Sequence, residues 1–513
     1  MKKFIAIFLM ILLLVSVTGC NSNNISEVNK KTQETILKVG AITDFKSSRE
    51  GLTLISDSLV GMDDKYNATS GLVNKWDVNK DATEYVLYLK ENIKFHDGSL
   101  FDAKSCEYSI ETLGKQFMCT YINMLETTEI VDEYILKIKF KSSNLGFPKE
   151  LMKIVALPVG SVDEDGNITN FNGTGPFELN EYEKDVEATL VKNEDYWDED
   201  ISSDIQKVKW IVIADPDARV MALESNQVDI IGYTEHYSSI PYSNIVSLIN
   251  NDKYQSIVED KNNYTSVRAI GMNWKKGFLA DINLRRALEH VIDRNKLVET
   301  VFFEIPNPCG HIMNPKFDDG SNKVEEFKYD IELAKEILEK AGYKYEKEIL
   351  RKDGKAIKLD YVCNSLPEDK DIAVFVQSEL KKIGITVNIV ALETEQAYQH
   401  IQNGEYDLTI ATPWFEPTVN TISFYGLEDN YSMFGLGLGI NEQVKAYGQE
   451  VISAKNESEF KLGIDRLWKA SYEACTSIPL FTGYRYAIHN GKFTGFQFDY
   501  NYFKIDFSEV REK

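Results

Sequence analysis

No Cys-x-x-Cys pair occurs in this chain, and its six cysteines are scattered. With Cys20 set aside, Cys106, Cys119, Cys309, Cys363 and Cys475 form an odd set. That is no disulfide framework, and buried thiols are expected. Histidine is sparse: six in 513 residues, at 96, 236, 290, 311, 400 and 489. None stands in the His-Glu-x-x-His spacing of a zinc hydrolase, and there is no Gly-x-Ser-x-Gly elbow or P-loop. Cys309-Gly310-His311 brings two ligand types together, but a loop thiol beside a surface imidazole is the simpler reading. Carboxylates are abundant, so chance pairs arise and none singles itself out. No catalytic residue, resident metal or cofactor is expected. Positive charge is also in deficit, with 57 Lys and Arg against 80 Asp and Glu and a net charge of −23. Such a chain repels nucleic acid and anionic membrane surfaces and weakly attracts cationic ligands.

What is present points to a large globular chain. Hydrophobic residues make up 43 % and aromatics 12 %, too much for disorder. The length suits about three domains. Lys2-Lys3 precede an apolar run from Phe4 to Val17, too short for a comfortable membrane span. The run ends in Val17-Thr18-Gly19-Cys20, which resembles a bacterial lipobox. Residues 1–19 read as a signal peptide, Cys20 as the lipid-bearing residue, and 20–35 as a flexible tether rich in Asn and Ser. No second long apolar run follows.

The most informative stretch is Gly71–Leu113. Trp76 leads to the turn Asn79-Lys80-Asp81 and a strand rich in aromatic and β-branched residues, Tyr85–Lys90. Phe95-His96-Asp97-Gly98 is a tight turn in which Gly98 supplies the positive φ. A helix starts at Ala103, capped by Asp102. Gly173-Thr174-Gly175-Pro176-Phe177 has no Lys-Ser/Thr after it, so it reads as a tight turn between domains rather than a phosphate cradle. Asn193-Glu194-Asp195-Tyr196-Trp197 follows. Lys207–Ala214, a helix opened by Asp215-Pro216, and Val228–Ile231 read as a parallel βαβ unit. Ala218, Met221, Ala222 and Ser225 are the expected inner face of that helix. Asp281–Val298 reads as one helix. Asp330 caps another, with Ala334, Ile337, Leu338 and Ala341 as its stripe and Gly342 as its stop.

Taken in this order, the motifs resemble the bacterial family 5 solute-binding proteins, which deliver peptides, nickel and metal chelates to ABC importers. The resemblance runs from about Ile36 to the strands near Ile478–Ile488. It implies an α/β, two-lobed Venus flytrap fold with an extra inserted domain and mixed sheets flanked by helices. Lobe one would comprise 36–61, 174–272 and 479–513, the inserted domain 62–173, and lobe two 273–478. The implied protein is a monomeric extracytoplasmic lipoprotein and no enzyme. It captures an oligopeptide by hinge closure and passes it to the permease subunits of an importer. A nickel or metal-chelate binder is the alternative; a secreted hydrolase and a structural surface lipoprotein are the remaining ones.

Ligand-binding candidates follow from the same resemblance. Trp414, Phe415 and Glu416 occupy the position of the family's aromatic and Asp-Pro cleft segment. Trp414 offers a flat wall for stacking, and Glu416 negative charge for a peptide's cationic end or a cationic complex. Glu416 replaces the usual Asp, and the His that follows Asp-Pro in nickel-type members is absent. Tyr121 corresponds to an aromatic cleft residue of nickel-type members. Phe45 lies in the loop beyond the first strand, and Arg485 and Tyr502 lie in C-terminal segments that can approach the hinge. Gly435–Gly439 reads as a loop. The lipobox gives a direct test: Cys20→Ala should abolish metabolic lipid labelling and release the protein to the medium, and continued labelling would remove the anchor.

Overall fold

The computed structural model describes residues 34–513 except 64–66, 118, 120, 200, 202, 234–239, 259–266, 312–324, 412–441, 483–484 and 500–503. Cys20, the tether, the 435–439 glycines, Trp414, Phe415, Glu416 and Tyr502 therefore lie outside the described residues. From Thr35 to Lys513 the chain forms one compact unit.

Two large mixed sheets carry it. The first runs, edge to edge, through Gln255–Val258, Tyr486–His489, Ile230–Ile231, Ile36–Ala41, Lys207–Val212, Glu187–Lys192 and Phe177–Glu183. The second runs through Asn307–Pro308, Ser477–Thr482, Val267–Met272, Leu408–Ala411, Lys358–Asn364 and Thr386–Leu392. A four-stranded antiparallel sheet, Val73–Val78, Glu84–Leu89, Ile135–Phe140 and Leu125–Asp132, stands apart in the segment between the first two strands of sheet one. In it Leu136, Ile138 and Phe140 point inward while Lys137 and Lys139 pair with Glu84 and Glu126 outside. That is the alternation of a half-buried strand.

Local chemistry sets many boundaries. Asp102 accepts from the Ser105 amide while the Ser105 hydroxyl accepts from the Asp102 amide, a capping box at the start of Ala103–Gln116. Asp215 and Asp330 cap Pro216–Glu224 and Ile331–Lys340 by accepting from the Ala218 and Leu333 amides. Two expectations fail. The 281–298 stretch is two helices, Ile282–Val291 and Arg294–Val301, because Asp293 leaves the helix and caps the second one through the Lys296 amide. In Pro216–Glu224 the buried residues are Arg219, Val220, Ala222 and Leu223, while Met221 is exposed. Arg219 is buried because its guanidinium binds the Ile213 and Ala214 carbonyls just before the helix, so the charged residue takes a core position and turns Met221 outward.

The cores cross these sheets. One apolar cluster joins sheet one to the inserted sheet; the other runs from Val228 and Ile488 on sheet one to Ile270 and Phe481 on sheet two. The thiols of Cys106, Cys119, Cys363 and Cys475 are buried and unpaired with one another, and Cys309 is half-buried.

His489 ends the Tyr486–His489 strand at 5 % exposure, its ring 4.9 Å from that of Phe496. Burial pushes its imidazole down to about 4. The unfolded chain binds that proton near the ordinary pKa of about 6.5, so stability drains away as pH falls from 6.5 toward 4. About 2 kcal/mol of the loss between pH 7.5 and 5 should disappear in His489→Phe, as read from denaturant unfolding at the two pH values.

Candidate functional site

The chain passes between the two large sheets twice, from Val258 to Val267 and from Thr482 to Tyr486. Both pairs of strand ends are matched in register: Val258 lies opposite Tyr486, and Val267 opposite Thr482. On sheet one, Ile231 pairs with Ile488, and Ile36–Ala41 runs parallel to both Ile230–Ile231 and Lys207–Val212. The carboxyl ends of those three parallel strands, at Ala41, Val212 and Ile231, thus lie on the crossing edge. On sheet two, Ala411 pairs with Ala269, and Lys358–Asn364 runs parallel to its neighbours on both sides. Asn364, Leu392 and Ala411 end on the crossing edge as well. Loops at the carboxyl ends of parallel strands are where open α/β sheets bind ligands.

The loop beyond Ala41 leads into the helix Arg49–Ile55, which borders a small recess lined by Arg49, Leu52, Thr53, Ser58, Phe117, Met152, Lys153 and Val155. Four segments meet there. Asp44 caps the turn Phe45–Ser47, and the Ser48 hydroxyl accepts from the Gly51 amide at 2.9 Å to start Arg49–Ile55. Phe117 ends the helix Ala103–Gln116, and the Arg49 guanidinium carbon lies 3.9 Å from the centre of its ring. The Leu59 amide donates to the Ile154 carbonyl at 2.7 Å and Ala156 to Asp57 at 3.0 Å, which holds Ser58 beside Val155 and Lys153.

Behind the recess, the Asp57 carboxylate accepts from Tyr196 Oη and Trp197 Nε1, both at 2.7 Å, and from Thr174 Oγ1 at 2.9 Å. Burial raises its pKa above the ordinary carboxylate value, against the pull of those three donors and of Lys504. One side chain therefore ties the Gly173–Phe177 turn and the Asn193–Trp197 motif to the recess wall. Gly173 is required there, since a Cβ would meet the Ile55 carbonyl oxygen at 1.9 Å.

On the sheet-two side, Arg268 pairs with Asp369 and approaches Glu368 at 3.4 Å, and Asn364 donates to Asp369 at 2.9 Å. Near the crossing, aromatic rings run in sequence from Tyr486 to Tyr242, Phe302 and Phe481, at 5.7, 4.7 and 4.6 Å. A further seam joins the inserted segment to the helical pair Glu442–Ile452 and Glu457–Glu473. There Ser143 donates to the Ala454 carbonyl at 2.6 Å, and Lys455 lies 3.6 Å from Asp81.

The sequence candidates fall as follows. Phe45 is 1 % exposed and packs edge-on against Trp210 at 5.4 Å. Tyr121 is fully buried, donates to the Ile110 carbonyl at 2.6 Å and packs on Phe147. Neither is among the recess-lining residues. Arg485 sits at the crossing edge with its guanidinium 4.2 Å from the Phe498 ring centre. Arg49 and Lys153 line the recess and are not among the sequence candidates. One signal was available: a cation in the first turn of a helix opposes the helix dipole, so Arg49 stands where helix stability alone disfavours it.

Comparison with known proteins supplies the context. The family model for bacterial extracellular solute-binding proteins, family 5, matches residues 67–431, more than half of the chain. The nickel-binding periplasmic protein of Escherichia coli is 21 % identical over 69 % of this chain and 69 % of its own length. The oligopeptide-binding protein AppA of Bacillus subtilis is 25 % identical over 81 % of this chain and 73 % of its own. The crystal structure of NikA from Brucella suis in complex with Fe(III)-EDTA superposes with a TM-score of 0.84 at 20 % identity, covering 94 % of this chain and all of that one. Fold and two-lobed architecture are thereby those expected from the sequence.

Asp57→Asn would turn an amide N–H toward groups that themselves donate. A loss of about 1–3 kcal/mol is expected in denaturant unfolding; unchanged stability would show that the three donors are satisfied elsewhere.

Proposed function

The chain belongs to the bacterial extracellular solute-binding proteins of family 5, binding components of ABC importers rather than enzymes, and from that premise we propose that it captures an oligopeptide between its two lobes. A nickel or other metal chelate is the second reading, favoured by the likeness to the nickel-binding relative. The observation that carries capture is the shared edge: the parallel strands of both sheets end at the two crossings.

Lobe one is built on sheet one with the inserted segment, and lobe two on sheet two. The crossings act as the hinge, and the Ser143–Ala454 and Lys455–Asp81 contacts close the far side. Trp414, Phe415 and Glu416 come shortly after the Leu408–Ala411 strand in the sequence. Trp414 would stack on the ligand and Glu416 would face its cationic end. Arg485 and Tyr502 would contribute from the hinge side, and Phe45 and Tyr121 would support the wall from behind. The protein works as a monomer outside the cytoplasm, held to the outer face of the membrane by lipid on Cys20, and hands its ligand to the permease. Among the described residues no helix is long and apolar enough to cross a membrane.

The experiment is native mass spectrometry of the purified protein, followed by small-angle scattering and thermal unfolding with the ligand it identifies. Binding should shrink the radius of gyration and raise the melting temperature by mass action. An unchanged radius, or a ligand recovered cleaved, would refute capture by closure.

A further inference from the structure

We infer that the seam between the inserted segment and the turn 453–456 is a latch that sets how firmly the closed lobes stay closed. This rests on the capture reading and adds a second place, besides the crossings, where closure is decided.

Both halves of the seam are built before they meet. On the inserted side, Asn79 folds the turn after Val73–Val78: its Oδ1 accepts from the Thr83 amide at 2.9 Å and from the Glu84 amide at 3.2 Å. The Asn144 amide donates to the Ala82 carbonyl at 2.8 Å, and Tyr85 Oη donates to the Asn144 carbonyl at 2.8 Å. The 79–84 turn and the chain after Ile135–Phe140 therefore form one piece, which carries Asp81 and Ser143. On the other side, Asn456 Oδ1 accepts from the Glu459 amide at 3.0 Å while the Glu459 carboxylate accepts from the Lys455 amide at 2.9 Å. That reciprocal pair fixes the turn between Glu442–Ile452 and Glu457–Glu473. The far end of the second helix is fixed as well. Arg285 is buried and donates to the Cys475 carbonyl through Nε and to the Ala474 carbonyl through Nη2, both at 3.0 Å. Between those ends the 17-residue helix spans about 25 Å, so it carries any movement of lobe two to the seam.

The contacts themselves are few and polar. Ser143, 8 % exposed, donates to the Ala454 carbonyl at 2.6 Å, and Lys455 lies 3.6 Å from Asp81 with both side chains exposed. Lys149, on Phe147–Glu150, adds a third point. Burial lowers its pKa, and the charges of Glu457 and Asp63 raise it against that of Lys461, which sets Lys149 against the first turns of the second helix. Ala82 and Ala454 are buried, yet neither belongs to the two large apolar clusters. Domains joined without a large apolar interface move relative to one another. When this seam parts, the Ser143 hydroxyl and the Ala454 carbonyl exchange each other for water at small net cost, and the exposed ion pair is worth little in salt. A hydrogen bond is also lost within a fraction of an ångström, so slight parting breaks the seam outright. Whatever stability the seam adds to the closed state is added to the affinity of every ligand that requires closure, without any contact to it.

The test uses the full-length protein without its lipid, freed of bound ligand by unfolding and refolding. Small-angle scattering gives the radius of gyration, and titration with pooled tri- to pentapeptides and with nickel(II) citrate gives Kd for whichever binds. Ser143→Ala and Asp81→Lys should each enlarge the ligand-free radius, and both together should enlarge it further. Ser143→Ala should weaken the binding probe by about two- to tenfold, the worth of one buried hydrogen bond. The reversed pair Asp81→Lys with Lys455→Asp should restore the radius and affinity lost in Asp81→Lys, and high salt should erase the difference. Melting temperatures report whether each variant is folded. An unchanged radius in the single and combined variants overturns the latch, as does a loss that the reversed pair fails to restore. If the wild type still contracts or gains stability with a probe, capture stands without the latch. If no probe alters radius or melting temperature, capture falls for these ligand classes, and the ligand-free radii alone decide on the latch.

Discussion

Everything in this molecule depends on how the chain passes between its two large sheets. It does so twice, between Val258 and Val267 and between Thr482 and Tyr486, and at each sheet the two strand ends are neighbours in register. Two adjacent connections tie the sheets together, beside the apolar cluster that runs from Ile488 on one to Ile270 on the other. They also decide which edge of each sheet faces the other. The parallel strands within each sheet end on that edge, so loops from distant parts of the sequence converge there.

Rigidity is supplied around this hinge rather than at it. The Asp57 carboxylate gathers Thr174, Tyr196 and Trp197, which belong to two stretches of chain distant from Asp57 itself. The strand-like pairing of 56–59 with 154–156 then holds the recess wall against the inserted segment.

Net charge is a whole-chain quantity, and a site answers to its own few charges. The net charge of −23 led to an expectation of an acidic cleft for cationic ligands, with Glu416 as its acid. Fields in salt solution decay over about 8–10 Å, so a ligand responds to the few charges around it. Around the recess those are Arg49 and Lys153.

Much of the fold was legible because it is written in neighbouring residues. Asp102, Asp215 and Asp330 announce helix starts through hydrogen bonds that reach three residues along the chain. The alternation of Leu136, Ile138 and Phe140 with Lys137 and Lys139 announces a half-buried strand in the same local way. The order of the turn and strand motifs identified the family and hence the two lobes. Tertiary contacts decided the rest. Asp293 splits a helix that periodicity runs through, and Arg219 displaces Met221 from an inner face because two carbonyls outside the helix hold its guanidinium. Phe45 and Tyr121 are aromatic residues near loops, and only the packing of Trp210 and Phe147 over them places them in the core. Arg49, Phe117 and Lys153 have no common spacing, so nothing in the sequence links them. By itself the sequence determined the elements and the family, because those follow from short-range hydrogen bonding and periodic burial. Which side chains share a recess was decided only when folding brought together segments far apart along the chain.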